Sequence, residues 1–238
     1  MDVALGILDQ LSAIRPSERP QGAHARVSSS RTRGLRASPI THEMDFFAIC
    51  EAIAVVFGFV YVILVIRQDV WCWPAGLVSA TLYVLFFFHT RFYGQMALQG
   101  VYIALMVYGW YEWHHGGETG GRLAVSRVPG RWRVVLAAAG AAFAVALGLF
   151  LKHQTDAVLP FWDGGTVSFS LVAQFMTARK WIESWLVWIA VDVIYVGMYA
   201  SQRLYPTTAL YVAFLVFAAL GFVEWHRSLR AGPDTATA

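Results

Sequence analysis

The stretch Trp181–Tyr199 reads W-I-E-S-W-L-V-W-I-A-V-D-V-I-Y-V-G-M-Y, and it indicates what kind of protein this chain is. Its apolar run is long enough to cross a lipid bilayer. Five of its side chains share one helical face, because a helix has about 3.6 residues per turn. An ionisable side chain inside such a span marks a functional site by default. That face carries Trp185, Trp188, Asp192, Tyr195 and Tyr199.

The composition supports an all-α integral membrane protein. The chain has 238 residues, of which 58% are hydrophobic and 14% charged, whereas soluble domains carry about 25% charged residues. The charges cluster between long apolar runs, as spanning helices require. The small net charge of +3 is therefore a topology signal, and we expect no nucleic-acid partner.

The apolar runs predict seven transmembrane helices. Residues 1–43 precede them, hold six arginines and no long apolar run, and are expected to be a disordered extension or a mis-called start before Met44. The predicted spans are 45–66, 73–89, 93–113, 134–151, 160–178, 181–200 and 206–225.

An internal repeat relates the first three spans to the last three at one constant spacing. We call this spacing, which takes Tyr93 to Tyr205, the repeat offset. It predicts a first three-helix unit over 44–113 and a second over 157–226. Between them, 114–156 forms a loop and a linker helix that returns the chain, and 227–238 is a tail. Two like-oriented units joined in this 3+1+3 manner are typical of transporters that bind substrate near the midplane. The matched pairs include Trp73/Trp185, Tyr83/Tyr195, Arg91/Arg203, Gly109/Gly221, Glu112/Glu224 and Trp113/Trp225.

The distribution of Lys and Arg predicts the orientation. Because positive charge stays in the cytoplasm, the C-terminus is expected inside and Met44 outside; the six arginines of 1–43 would cancel this bias. The less basic side has Arg91, Lys152 and Arg203, and the other has Arg67, Arg122, Arg127, Arg131, Arg133, Arg179, Lys180, Arg227 and Arg230.

Three further polar side chains are candidates for the substrate site. Gln99 and Tyr211 occupy equivalent mid-span positions of the two units, which would place them on opposing sides of one cavity. Gln174 lies in the middle of the fifth span. A buried amide needs a hydrogen-bond partner, which is either a substrate or another helix. The aromatic face of the sixth span has a similar alternative, in which it packs the bundle and Asp192 pairs with a neighbour.

Several function classes are excluded. The spans contain no nucleophile with a histidine base and no metal cluster, so we expect no enzyme, no cofactor and no metal site. A retinal protein needs a mid-membrane lysine, but Lys152 and Lys180 both lie at helix ends. The chain has no phosphate-binding P-loop, which excludes transport driven by its own ATP hydrolysis.

The same residues resemble the PnuC family of vitamin transporters over about 44–226. The resemblance lies in Leu98–Trp113, Pro160–Asp163 and Thr177–Trp188. It implies a SWEET-like 3+1+3 fold and a homotrimer in the inner membrane. It also implies uptake by facilitated diffusion, made unidirectional when a cytoplasmic kinase phosphorylates the substrate.

The family resemblance also implies a substrate site at Trp185, Trp188, Gln99 and Tyr211. Asp192 stands where the family pattern has asparagine, and a carboxylate favours a cationic ring. We therefore expect nicotinamide riboside as substrate, with thiamine as the alternative, while neutral riboflavin gains less from Asp192. A membrane ligand-binding or sensor protein is the alternative outside transport.

Overall fold

The computed structural model describes residues 39–231, with gaps at 92, 118–120 and 156–158, and side chains from Ile49 onward. The first helix begins at Pro39, ahead of the predicted span. The rest of the N-terminal extension and most of the tail lie outside the described residues. The described part forms seven helices: α1 (Pro39–Ile66), α2 (Cys72–His89), α3 (Tyr93–His115), α4 (Gly130–Gln154), α5 (Pro160–Ala178), α6 (Ser184–Ser201) and α7 (Tyr205–Ala231).

Five of these helices, namely α1, α2, α4, α6 and α7, are long and apolar enough to cross a membrane by themselves. The other two predicted spans, α3 and α5, do not meet this standard, because they carry more polar side chains. Most polar side chains of α5 are buried, and several find hydrogen-bond partners within the protein. The Ser168 hydroxyl donates to the Gly140 carbonyl at 2.7 Å, and the Thr177 hydroxyl donates to the Ala173 carbonyl at 2.9 Å. A polar helix face is tolerated at membrane depth when protein satisfies it.

With the exception of α3 and α4, helices that follow each other in sequence pack against each other. Helix α2 packs between α1 and α3, and α6 packs between α5 and α7. We call α1–α3 the first group of helices, or first half, and α5–α7 the second. The two groups of helices meet where α3 contacts α5 and where α1 contacts α7. Helix α4 packs closely against α5, since a Cβ atom added at Gly164 would lie 2.7 Å from the Gly148 backbone nitrogen. Small residues at this interface let the two helix backbones approach each other.

Backbone conformation also recurs at the repeat offset. Gln68 and Lys180 have φ angles of 57° and 50°, and Arg91 and Arg203 both have a φ of 61°. A side chain in this left-handed region costs roughly 1–2 kcal/mol. Each of the four residues lies just after the C-terminal end of a helix, where a left-handed residue stops the helix.

Tryptophan contacts repeat as well and connect the two groups of helices. The indole of Trp113 on α3 donates to the Thr177 carbonyl on α5 at 3.2 Å. The indole of Trp225 on α7 donates to the Val65 carbonyl on α1 at 3.0 Å. Each of these indoles thus holds the C-terminal part of a helix from the other group.

The loop between α3 and α4 makes a contact with the α5–α6 joint that has no counterpart among the described residues of the first half. The loop between α3 and α4 pairs with the α5–α6 joint through a bridge between Ser126 and Trp181. Lys180, in the joint, donates through Nζ to the Leu123 carbonyl at 2.9 Å and lies 4.3 Å from the centre of the Trp113 ring. Burial lowers the pKa of Lys180 to about 8. We call residues 123–128 the strap, because they tie the α5–α6 joint to α3 and α4.

The strap makes Lys180 sensitive to a substitution that its counterpart Gln68 tolerates. Glycine relieves the left-handed backbone at either position, but Lys180→Gly also removes the carbonyl hydrogen bond and the cation–π contact. We expect Lys180→Gly to lower the free energy of unfolding by about 1–3 kcal/mol. Gln68→Gly should stay within about 1 kcal/mol of the parent. Thermal unfolding of both variants in detergent checks this, and equal melting temperatures would contradict the bracing role of the strap.

Candidate functional site

A cavity that we call the large cavity lies among α1, α2 and α3, with one wall from α7. The space between its walls amounts to about 570 Å³, which includes the part that opens to the surroundings. Gln99 from α3 is 3% exposed, and its amide nitrogen has no hydrogen-bond partner among the described residues. None of the described side chains in the lining is charged. Its walls are formed by Ala54, Val55, Gly58, Phe59, Tyr61, Gly76, Ser79, Ala80, Tyr83, Gln99, Tyr102, Met106, Leu210 and Phe214.

A second pocket of about 280 Å³ lies between α1, α5 and α6. We call it the tryptophan pocket, because Trp185 and Trp188 line it together with Gln174 and Thr177. The Trp188 indole donates to the Thr177 hydroxyl at 3.4 Å. Three of the predicted site residues, from α5 and α6, are thus brought together here.

Tyr61 on α1 lines both spaces and separates them. Its hydroxyl donates to Gln174 Oε1 at 3.1 Å and accepts from Gln174 Nε2 at 2.9 Å. This buried pair joins the two groups of helices through α1 and α5. Sequence reasoning missed Tyr61, since its counterpart at the repeat offset is Ala173 and no motif marks it.

The other three predicted site residues, Asp192, Tyr195 and Tyr211, lie outside the lining of both spaces. The rings of Tyr195 and Tyr211 stack on each other at 4.4 Å, and Tyr199 stacks on Tyr211 at 5.2 Å. We call these three tyrosines the tyrosine stack. Gln99 and Tyr211 therefore do not face each other across one cavity in this conformation. The large cavity is bounded on the α7 side by Leu210 and Phe214 instead.

Asp192 is completely buried on α6. In the sequence it stands between Trp188, which lines the tryptophan pocket, and Tyr195 of the tyrosine stack. Trp185, Trp188 and Tyr195 are buried with it, so the predicted face of α6 points into the protein. A buried carboxylate in the membrane is stabilised by a cation or by hydrogen-bond donors.

The two tryptophans of α6 differ in their surroundings. Trp185 packs edge-to-face against Trp225, with ring centres 5.4 Å apart, and its ring lies over Gly221. A Cβ atom at Gly221 would come within 2.5 Å of the Trp185 ring. In the first half, Trp73 packs in the same way over Gly109 and against Trp113 at 5.3 Å. Trp185 therefore packs the bundle on one side while lining the pocket on the other.

Gly221→Ala tests this packing role. The added methyl group collides with the Trp185 ring, and overpacking of this kind costs about 1–3 kcal/mol. We expect a lower melting temperature in detergent. Gly197→Ala on α6 is the matched control, because a Cβ atom there meets nothing within 4 Å, and it should be neutral or stabilising. A Gly221→Ala variant as stable as the control would show that the ring is not held there.

Comparison with known proteins identifies the family. Residues 48–227 match the model of the nicotinamide mononucleotide transporter family. The nicotinamide riboside transporter PnuC of Escherichia coli is 27% identical over 206 residues, covering 76% of this chain and 86% of the relative. The riboflavin/roseoflavin transporter RibM of Streptomyces davaonensis is 26% identical over 174 residues, covering 71% of this chain and 81% of the relative.

The fold has a solved counterpart. The crystal structure of the vitamin B3 transporter PnuC covers 96% of this chain and 89% of its own, with 21% identity and a TM-score of 0.59. The family model spans well over half of the chain, including most of the described helices. The chain therefore belongs to the PnuC family of multi-pass membrane transporters.

Proposed function

We propose that this protein transports nicotinamide riboside across the inner membrane. The observation that carries the proposal is a cavity between the helices, without charged side chains in its described lining, in a chain several of whose relatives are named for that substrate. One of those relatives, from Neisseria mucosa, is 25% identical and covers 75% of this chain. The protein acts as a transporter and not as an enzyme.

The chemistry of the cavity supports a nucleoside as substrate rather than a nucleotide. The described lining offers amide and phenol groups from Gln99 and Tyr61 but no Lys, Arg or His. A phosphate group would enter such a site without a cationic partner, which is costly away from water. The pyridinium ring of nicotinamide riboside carries a positive charge, and Asp192 is the buried carboxylate proposed to attract it.

The proposed substrate site combines residues from both halves. Gln99 contributes from the large cavity, and Gln174, Trp185 and Trp188 contribute from the tryptophan pocket. Because the Tyr61–Gln174 pair separates the two spaces, substrate passage requires this pair to open or to exchange its hydrogen bonds with the substrate. Tyr195 and Tyr211 are proposed to come into reach only when α6 and α7 move.

The proposed transport cycle uses two duplicated three-helix units, α1–α3 and α5–α7, joined by α4. The paired left-handed residues and the reciprocal indole hydrogen bonds of Trp113 and Trp225 support this arrangement. Like-oriented units around a central site suit alternating access. The direction of net uptake is proposed to come from phosphorylation of the substrate by a cytoplasmic kinase, without coupling to an ion gradient. The functional form is proposed to be a homotrimer with the C-terminus in the cytoplasm.

Uptake into proteoliposomes tests the proposed function. We expect saturable entry of labelled nicotinamide riboside without ATP and without an ion gradient. Unlabelled nicotinamide riboside should compete better than thiamine or riboflavin, whereas nicotinamide mononucleotide should not compete. Liposomes without protein are the control. If a protonophore abolished uptake while the substrate gradient persisted, facilitated diffusion would be wrong; binding without any flux would favour a sensor.

Asp192→Asn tests the charge of the site. The substitution preserves the shape of the side chain and restores the asparagine of the family pattern. We expect a folded protein whose preference for cationic nicotinamide riboside over neutral riboflavin falls by roughly tenfold, the equivalent of about 1.4 kcal/mol. Competition binding in detergent measures the ratio. Glu224→Gln is the control, because it removes a half-exposed carboxylate of α7 that lies 3.6 Å from Arg227. An unchanged ratio in Asp192→Asn would assign Asp192 to structure alone.

A further inference from the structure

Tyr83 on α2 has a buried hydroxyl that none of the site assignments above uses. Its side chain lines the large cavity, and the residue is 4% exposed. Within the described part of the chain, its hydroxyl oxygen has no hydrogen-bond partner. The amide nitrogen of Gln99, which lines the same cavity, also has no hydrogen-bond partner among the described residues. Polar atoms buried without partners cost free energy, and a ligand that bonded both would recover it.

The second half of the molecule shows how the same positions are filled when no space is left. At the repeat offset, Tyr83 corresponds to Tyr195 and Gln99 corresponds to Tyr211. Tyr195 and Tyr211 stack at 4.4 Å with an interplanar angle of 21°. Their rings take up the volume that is open in the first half.

Tyr83 and Tyr195 each stack on an aromatic ring one helical turn further along their own helix. Tyr83 stacks on Phe87 with ring centres 6.0 Å apart, and Tyr195 stacks on Tyr199 with centres 5.8 Å apart. What differs is the side chain opposite. Because glutamine replaces a tyrosine at position 99, the face of Tyr83 is not covered by a second ring from that position.

We propose that Tyr83 and Gln99 together bind the hydroxyl groups of an uncharged part of the substrate, which in the proposed substrate class is the ribose. A tyrosine hydroxyl both donates and accepts, and an amide nitrogen donates twice, so the pair complements a vicinal diol. The apolar walls strengthen such hydrogen bonds by excluding water. The described lining carries no charge that would favour a charged group here. Tyr83 is thus a specificity-determining residue for the sugar.

This inference rests on the proposed function. Two deoxy analogues of the substrate distinguish a failure of the inference from a failure of the proposed function. The measurement is calorimetric binding of nicotinamide riboside and of its 2′-deoxy and 3′-deoxy analogues to the purified full-length protein. Tyr83→Phe removes one hydroxyl and keeps the ring. We expect nicotinamide riboside to bind roughly three- to tenfold more weakly, the range of one neutral hydrogen bond. The analogue that lacks the bonded hydroxyl should bind the variant and the wild type equally.

Tyr205→Phe is the matched control, because it makes the same change at a residue that is 68% exposed. It should leave the affinities for all three ligands unchanged. Gln99→Tyr is a second variant, which reproduces the ring pair of the second half. We expect it to fold, as judged by its melting temperature, and to lose measurable binding because the added ring fills the cavity.

The outcomes are distinct. If Tyr83→Phe weakens the riboside and both deoxy analogues by the same factor, or weakens none of them, the inference is overturned while the proposed function stands. If Gln99→Tyr folds and keeps its affinity, the large cavity is not the sugar site. If the wild-type protein neither binds nor transports nicotinamide riboside, the proposed function is wrong and the inference falls with it.

Discussion

Two indole hydrogen bonds connect the two groups of helices, and much of the structure depends on them. Trp113 reaches the Thr177 carbonyl, and Trp225 reaches the Val65 carbonyl. Lipid offers no hydrophobic drive between helices, so packing and interhelical hydrogen bonds must hold them together. Each indole also packs edge-to-face against a second tryptophan, and the ring of that second tryptophan lies over a glycine. The C-terminal parts of α1 and α5 are therefore fixed to α7 and α3, and the spaces of the candidate site lie beside these anchored segments.

The two groups of helices, α1–α3 and α5–α7, leave different amounts of space. At corresponding positions the first half has Gly76 and Ala80, whereas the second has Trp188 and Asp192. Even the space at Gly76 is narrow, because a Cβ atom there would lie 2.9 Å from the Met106 sulfur. Small residues open the large cavity on one side, and bulky ones fill the other side and line the tryptophan pocket. The volume available to a ligand is thus concentrated in the first half, while the tryptophans and the carboxylate belong to the second.

The joint between α5 and α6 in the second half is also bonded to the α3 end and to the strap. The strap bonds the α5–α6 joint through Lys180, and the Glu183 carboxylate accepts from the Val128 backbone nitrogen at 2.9 Å. Glu112 at the end of α3 pairs with Arg179 at 2.9 Å. These bonds converge on one joint and on the end of the bundle where the indoles cross. They fasten this end of α5 and α6, the helices that contribute the tryptophans and Gln174 to the tryptophan pocket.

The sequence by itself determined roughly where the helices lie and which face of α6 is buried, and it predicted which positions pair at the repeat offset. Periodicity and hydropathy carry this information, because the bilayer sets helix length and burial selects a face. Only the tertiary structure decided that Gln99 lines the large cavity while Tyr211 packs in the tyrosine stack, and that Tyr61 bonds Gln174. Periodicity cannot supply these contacts, since the space left between helices depends on how side-chain volumes from several helices fit together.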